Sequence, residues 1–290
     1  MFAHPIRRFA PLSLALTTLA LAGCETVSRS APVQQVAVLE EDKQGTSAVN
    51  IASLTEVIQR NPGDPSAYNT RGAAQARVGR YSEAIADFTK AVQIDPNYAP
   101  AYTNRGLALR QTGKNDLALA DFSRAIQSDP NYGPAYIGRG NLLRAQGHFA
   151  EALQDLTAAI RLTPESAEAL HARGLLHQRQ GSHQQAILDF DAAIDRNPFV
   201  APPYAARGQS LVAVGQYDKA VEDFNAALNV NNRDAESWAW RGIAFERQGK
   251  RAEAAESFER AAALDPNNTT ARQGLARIQG GGASGFSRLF

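Results

Sequence analysis

The stretch Tyr102–Pro130, YTNRGLALRQTGKNDLALADFSRAIQSDP, decides the fold, because stepping along the chain by 34 residues brings its key positions back. A bulky apolar residue opens each copy, at Tyr68, Tyr102, Tyr136, Leu170, Tyr204 and Trp238, and an Arg-Gly pair follows it, from Arg71-Gly72 to Arg241-Gly242. A turn glycine returns from Gly79 to Gly249, a first alanine from Ala84 to Ala254 and a second from Ala91 to Ala261. Between the alanines stand Phe88, Phe122, Leu156, Phe190, Phe224 and Phe258, and a proline closes each copy except at Asn232. Six copies stand without an insertion.

Each copy reads as two helices. From Tyr102 to Thr112 the apolar positions fall at helical spacing, Gly113 supplies a permissive turn backbone, and Asp116 to Gln127 resumes an amphipathic run. Pro130 cannot continue that helix. Gly106 and Ala118 are expected to be small because the two helix axes approach to about 8–10 Å there, with Phe122 and Ala125 carrying the contact to the next pair. One pair alone leaves an apolar face wet, and stacking buries it.

This order of large apolar, Gly, Ala, Phe, Ala and Pro at a period of 34 resembles the tetratricopeptide repeat (TPR) family. The resemblance implies an all-α, right-handed superhelical solenoid of helix pairs that holds other proteins. Residues 65–268 are six full copies. Counting back one period sets Gly45, Leu54, Val57 and Pro62 in register, so 47–64 reads as an N-terminal capping half-repeat. Residues 269–279 fit a C-terminal capping helix, and Gly280-Gly281-Gly282 is expected to end it, leaving 280–290 as a flexible tail. A sharper reading of that tail is a docking peptide using Phe286, Leu289 and Phe290, which would favour homo-oligomers.

The N-terminus carries a separate signal. Arg7 and Arg8 precede an apolar run, Phe9 to Ala22, that is short for a bilayer span. It ends in Leu21-Ala22-Gly23-Cys24, which resembles the bacterial lipobox; this implies a signal peptide over 1–23 and acylation of Cys24. Several acyl chains would hold the protein stably on a membrane, at about 0.8 kcal/mol per buried methylene. The expected location is the cell envelope, facing the periplasm, with inner and outer membrane both open. Residues 24–46 read as a tether. Removing 1–23 takes Arg7 and Arg8 and no acid, so 30 basic residues become 28 against 29 acidic ones, a net charge of −1 that gives no general attraction to nucleic acid.

The repeating arginines invite a reading as a ligand ladder. An acid follows each by sixteen residues, at Asp87, Asp121, Asp155, Asp189 and Asp223, with Ser257 the exception. An ion pair within the repeat, setting helix register, is the simpler reading. A solenoid repeats what its scaffold needs and varies what its ligand needs. The TPR resemblance places the concave groove on the first helices, at one, two, five, eight and nine residues after the aromatic start. Among these, Arg77, Asn104, Arg110, Asn141, Arg144, Arg179, Trp240 and Arg247 are the candidate protein-binding residues. Amides grip peptide backbone, guanidinium groups fork onto carboxylates, and a large aromatic anchors an interface. The set with which some TPR domains clamp a C-terminal carboxylate is absent, since Asn69, Ala73, Asn104, Pro134 and Gly138 occupy its places.

His171, His177 and His183 are evenly spaced, but six residues turn a helix by about 240° and His183 lies beyond the Gly181 turn, so no metal site is expected. No phosphate loop or nucleophile elbow stands in the sequence, and neither cofactor nor catalysis is expected. The reading is a lipid-anchored adaptor for envelope proteins or peptides, serving cell-wall enzymes or their proteases. The alternative is a pilotin-like assembly factor for pili or an outer-membrane or secretion complex.

Overall fold

The computed structural model describes residues 46–286, which hold fourteen α-helices and no strand among the described residues. Helix α1 (Thr46–Arg60) precedes six pairs: α2 (Pro65–Arg77) with α3 (Tyr81–Ile94), α4 (Ala99–Gln111) with α5 (Asn115–Ser128), and α6 (Gly133–Ala145) with α7 (Phe149–Leu162). Next are α8 (Ala167–Arg179) with α9 (His183–Arg196), α10 (Ala201–Ala213) with α11 (Tyr217–Val230), and α12 (Ala235–Arg247) with α13 (Arg251–Leu264). Helix α14 (Thr269–Phe286) closes the stack, so six full pairs carry a half-repeat at each end. Cys24, the segments around it and Leu289 and Phe290 lie outside the described residues.

The joints follow from local chemistry. Gly113 holds φ at 76°, and all six turn glycines share this left-handed backbone. There Lys114 N–H donates to the Leu109 carbonyl at 2.9 Å and Gly113 N–H to that of Arg110 at 3.0 Å, closing the end of α4. Between pairs, Asp95 accepts a hydrogen bond from Asn97 N–H at 2.9 Å and Asp129 does the same for Asn131, so the residue before the proline folds the connection.

The core is a column of rings between glycines. A Cβ added to Gly106 would lie 2.8 Å from the Phe122 ring, and one added to Gly138, in the next pair, 2.5 Å from it. The obstacle at Gly106 is therefore the ring itself, which sharpens the expectation from axis spacing. Phe258 sits in the same way between Gly242 and Gly274. Burying such a ring is worth about 1.5–3 kcal/mol, and because each ring touches two pairs, that energy links neighbours.

The Arg–Asp column is the expected ion pair. Arg105 forks onto Asp121 with two hydrogen bonds of 2.7 Å, and Arg71–Asp87, Arg139–Asp155, Arg173–Asp189 and Arg207–Asp223 repeat the arrangement. A third contact reaches backward: Arg105 also donates to Thr89 at 3.2 Å and Arg207 to Asp191 at 2.6 Å. Each such arginine ties its own two helices to the second helix of the preceding pair. In the sixth copy Arg241 donates instead to Ser257, at 3.2 Å, and Asn225, at 2.9 Å, and lies 4.2 Å over the Trp238 ring.

Consecutive first helices also touch one another, from α2 on α4 to α12 on α14, while no two second helices do among the described residues. The first helices consequently form the inner wall of a curved stack. Helix α14 departs from expectation: its backbone stays helical through Gly280, Gly281 and Gly282 to Phe286. Glycine costs about 1 kcal/mol in a helix and lacks a proline's veto, so the run weakens the helix without ending it. Arg277 forks onto Glu246 at 2.7 and 2.8 Å and fastens α14 to α12.

Removing one partner of the register pair leaves a charge stranded, so Asp121→Ala is expected to lower stability by about 3 kcal/mol. Ser257→Asp, which restores the missing acid, is expected to raise it. Urea unfolding followed by circular dichroism checks both, and an unmoved midpoint for Asp121→Ala would show that the pair holds nothing.

Candidate functional site

The five first-helix columns divide by burial. Residues five, eight and nine after the aromatic start are accessible in most copies, with Leu107, Asn141, Arg110 and Arg144 half-buried and Arg77, Arg179 and Arg247 exposed. Residues one and two after it are mostly buried, because curvature presses neighbouring first helices together there: Thr103 and Ala239 are inaccessible, and Asn104, Ala172 and Ala206 are buried. Asn104 thus leaves the groove. Its amide donates to Asn69 Oδ1 at 2.9 Å and stitches α4 to α2.

Trp240 is only half accessible. It packs against the cluster of Leu211, Phe224 and Ala244, and its indole N–H donates to Glu236 Oε1 at 2.7 Å. The tryptophan is first a wedge between the fifth and sixth pairs, with the rest of its surface facing out.

Three of the candidates do come together. Arg110 from α4, with Asn141 and Arg144 from α6, lines a concavity of ≈ 430 Å³ whose opposite wall is Glu168 and His171 of α8, and Ala172 and Leu175 complete the lining. Arg179 lies within electrostatic reach of Arg144. Arg77 and Arg247 do not line this concavity, so the candidate arginines divide into a local cluster and two outlying charges. Glu168 escaped the reading of the sequence; the available signal was an acid two residues before the start of a copy, where most of the others carry proline or serine.

The molecule holds two populations of arginine. Those of the register column are pushed above their ordinary pKa by the carboxylates they fork onto, as at Arg105, where hydrogen bonding to Asp121 outweighs burial. Arg110 and Arg144 move the other way. Burial lowers both; Glu168 partly offsets this at Arg110, while the charges of Arg110 and Arg179 add to it at Arg144. Arg144 Nε is buried with no hydrogen-bond partner among the described residues. Loss of surrounding water pushes the Glu168 carboxyl up, against the pull of Arg110. Burial, and then Arg144, lower His171 to about 4, and its ring rests on Phe190 with centroids 5.7 Å apart. His177 stands 3.8 Å from Asp189, and no group of three or more His, Cys, Asp or Glu among the described residues could hold a metal ion.

Sequence models described as tetratricopeptide repeat match residues 65–98, 99–132, 137–201 and 205–269. The chain belongs to the tetratricopeptide repeat family. No curated protein sequence matches it. Among solved structures, this TPR chain is similar to one in the APC/C hetero-tetramer Cut9–Hcn1, at 20% identity and a TM-score of 0.73 over 81% of its length, and it spans 46% of that chain. It is similar to pilF of Pseudomonas aeruginosa at 21% identity and a TM-score of 0.67, covering 76% of this chain and 99% of that one. The figures for PilW, described as a widely conserved type IV pilus biogenesis factor, are 18% and 0.65, with 72% and 97% covered. At these identities the likeness is one of fold, and a TPR fold is a scaffold for protein–protein interaction.

The His171 imidazole is expected to titrate near 4 by NMR, well below the ordinary 6.5. Between pH 6.5 and about 4 the unfolded chain takes up this proton more readily, so the residue's contribution to stability is present above that window and lost as pH falls through it. Arg144→Gln removes a neighbouring positive charge and should raise the value, leaving the larger effect of burial in place. A His171 titrating at its ordinary value would contradict the burial described.

Proposed function

We propose that this TPR protein is a non-catalytic adaptor, held on a membrane of the bacterial cell envelope through acylated Cys24 and facing the periplasm. It captures segments of exported partner proteins, such as cell-wall enzymes or their proteases, on its first-helix wall. The observation that carries the reading is the contrast between arginines. The register column spends its charge on the scaffold, while Arg110 and Arg144, in variable columns, make no hydrogen bond or ion pair within 4 Å among the described residues. Desolvated charge without a structural partner is costly, and a ligand that supplies the missing acceptor recovers that cost.

The anchoring rests on the basic start at Arg7 and Arg8, the apolar run and the Leu21-Ala22-Gly23-Cys24 string. No helix among the described residues is long and apolar enough to cross a membrane. A second reading, an assembly factor for pili or a secretion complex, is favoured by the span of PilW and pilF, which this chain matches over nearly their whole lengths.

Both halves can be tested in intact cells. Wild-type protein should partition into detergent and incorporate labelled fatty acid, and Cys24→Ser should move it to the aqueous phase. A photo-crosslinking amino acid in place of Leu175, in the groove, should give discrete adducts with exported proteins. The same probe replacing Leu117, which is 57% exposed away from the groove, should not. Equal adducts from both positions would reject the groove; pilus or secretion components among them would favour the second reading.

A further inference from the structure

The groove carries one place built for a particular chemical group. Arg144 Nε is a buried cationic donor with no acceptor among the described residues, and leaving such a donor unsatisfied costs more than leaving a neutral one. Asn141 lies one turn earlier on α6, on the same face of the helix, and Arg110 occupies the same column as Arg144 one repeat before it. Neighbouring first helices run about 8–10 Å apart, and two guanidinium groups, which only donate, cannot satisfy each other, but both can reach a small planar anion between them.

We propose that Arg110, Asn141 and Arg144 form a socket for a single carboxylate side chain of a partner peptide, and that Glu168 is its built-in competitor. The proposal rests on the groove reading above and names what the groove selects. Charge favours an anion here: Arg110, Arg144 and nearby Arg179 outnumber Glu168, and the planar fork of a guanidinium matches the two oxygens of a carboxylate.

The flanking residues set what surrounds that carboxylate. Leu107 and Leu175 hold the same column as Asn141 on the helices to either side, both half-buried, and Leu175 lines the concavity. An apolar, amide, apolar sequence of contacts fits an acidic residue between aliphatic neighbours. Glu168 faces Arg110 from α8 and shares its charge while the socket is empty.

The test uses the mature chain and a rhodamine-labelled peptide with one glutamate between leucines, read by fluorescence anisotropy against the same peptide with glutamine. The glutamate peptide should bind about tenfold more tightly, a ratio of the size expected for one charge-assisted contact. Arg144→Gln and, separately, Arg110→Gln should erase that preference, Glu168→Gln should tighten binding several-fold, and Arg251→Gln, exposed on the second helix α13, should leave it unchanged. Circular dichroism identifies any variant that fails to fold, and either arginine variant alone then carries the test. Equal binding of the two peptides, a preference that survives both arginine variants, or displacement by inorganic phosphate at lower concentration than by free glutamate would overturn the socket. If adducts from position 175 persist while the peptides bind equally, the carboxylate assignment falls and the adaptor reading stands; if both fail, the groove reading falls with it.

Discussion

A guanidinium forking onto a carboxylate sixteen residues ahead, while reaching back to the helix sixteen behind, is the constraint on which this solenoid depends. Arg105 touches Asp121 and Thr89 at once, so one side chain spans three helices. The pairing is not cheap. At Asp223 burial pushes the carboxyl above its ordinary value against the pull of Arg207, with the nearby charges of Asp191 and Glu222 adding to the rise, while the same pair pushes Arg207 up. What the pair supplies is register: a helix slipped by one residue would leave both charges buried and alone. Apolar burial drives the stacking, and the ion pair decides how the helices are aligned when they stack.

The ring column shows the same division from the apolar side. Phe122 fits between Gly106 and Gly138 because neither has a Cβ, and the second glycine belongs to the next pair. Where that next position carries a larger residue, the packing adapts. Ala206 lies against Phe190 and Trp240 against the Phe224 cluster, so the seams between repeats vary, while the interiors depart from pattern only at Leu156 and Ser257 in the ring and acid columns. Variation enters this scaffold at its seams and along its inner wall.

That distinction explains what could be read from the chain. Everything that recurs was legible, because Arg and Gly in six copies, and Phe and Asp in five, average out accident: the helix pairs, the turn glycines and the ion pair all follow from one period. The groove was legible only in part. Asn104 belongs to a first helix and is polar, yet it is buried, because burial at that column is set by curvature between repeats, which no single copy reveals. Glu168 was missed for the opposite reason: it lies outside the aligned positions and joins the site only when α8 stacks beside α6 and α4. The glycine run at 280–282 misled because glycine lowers helix propensity without removing a donor, unlike the prolines that end the repeats.

Function then follows from which charges the scaffold leaves unused. Arginine is a costly residue to half-bury, and a solenoid tolerates it where a carboxylate answers it, as in five of six register positions. Among the described residues Arg110 and Arg144 receive no such answer within hydrogen-bonding distance, although Glu168 on α8 is near enough to influence Arg110. A purely structural account would place the acid in contact and finish the pair. Holding it back leaves two desolvated cations partly compensated, stable enough to fold around and still able to gain from a guest's carboxylate. On the proposed reading the stack need not change shape to recognise a partner, since the arginines are already in place and the guest has only to displace water and outcompete one side chain.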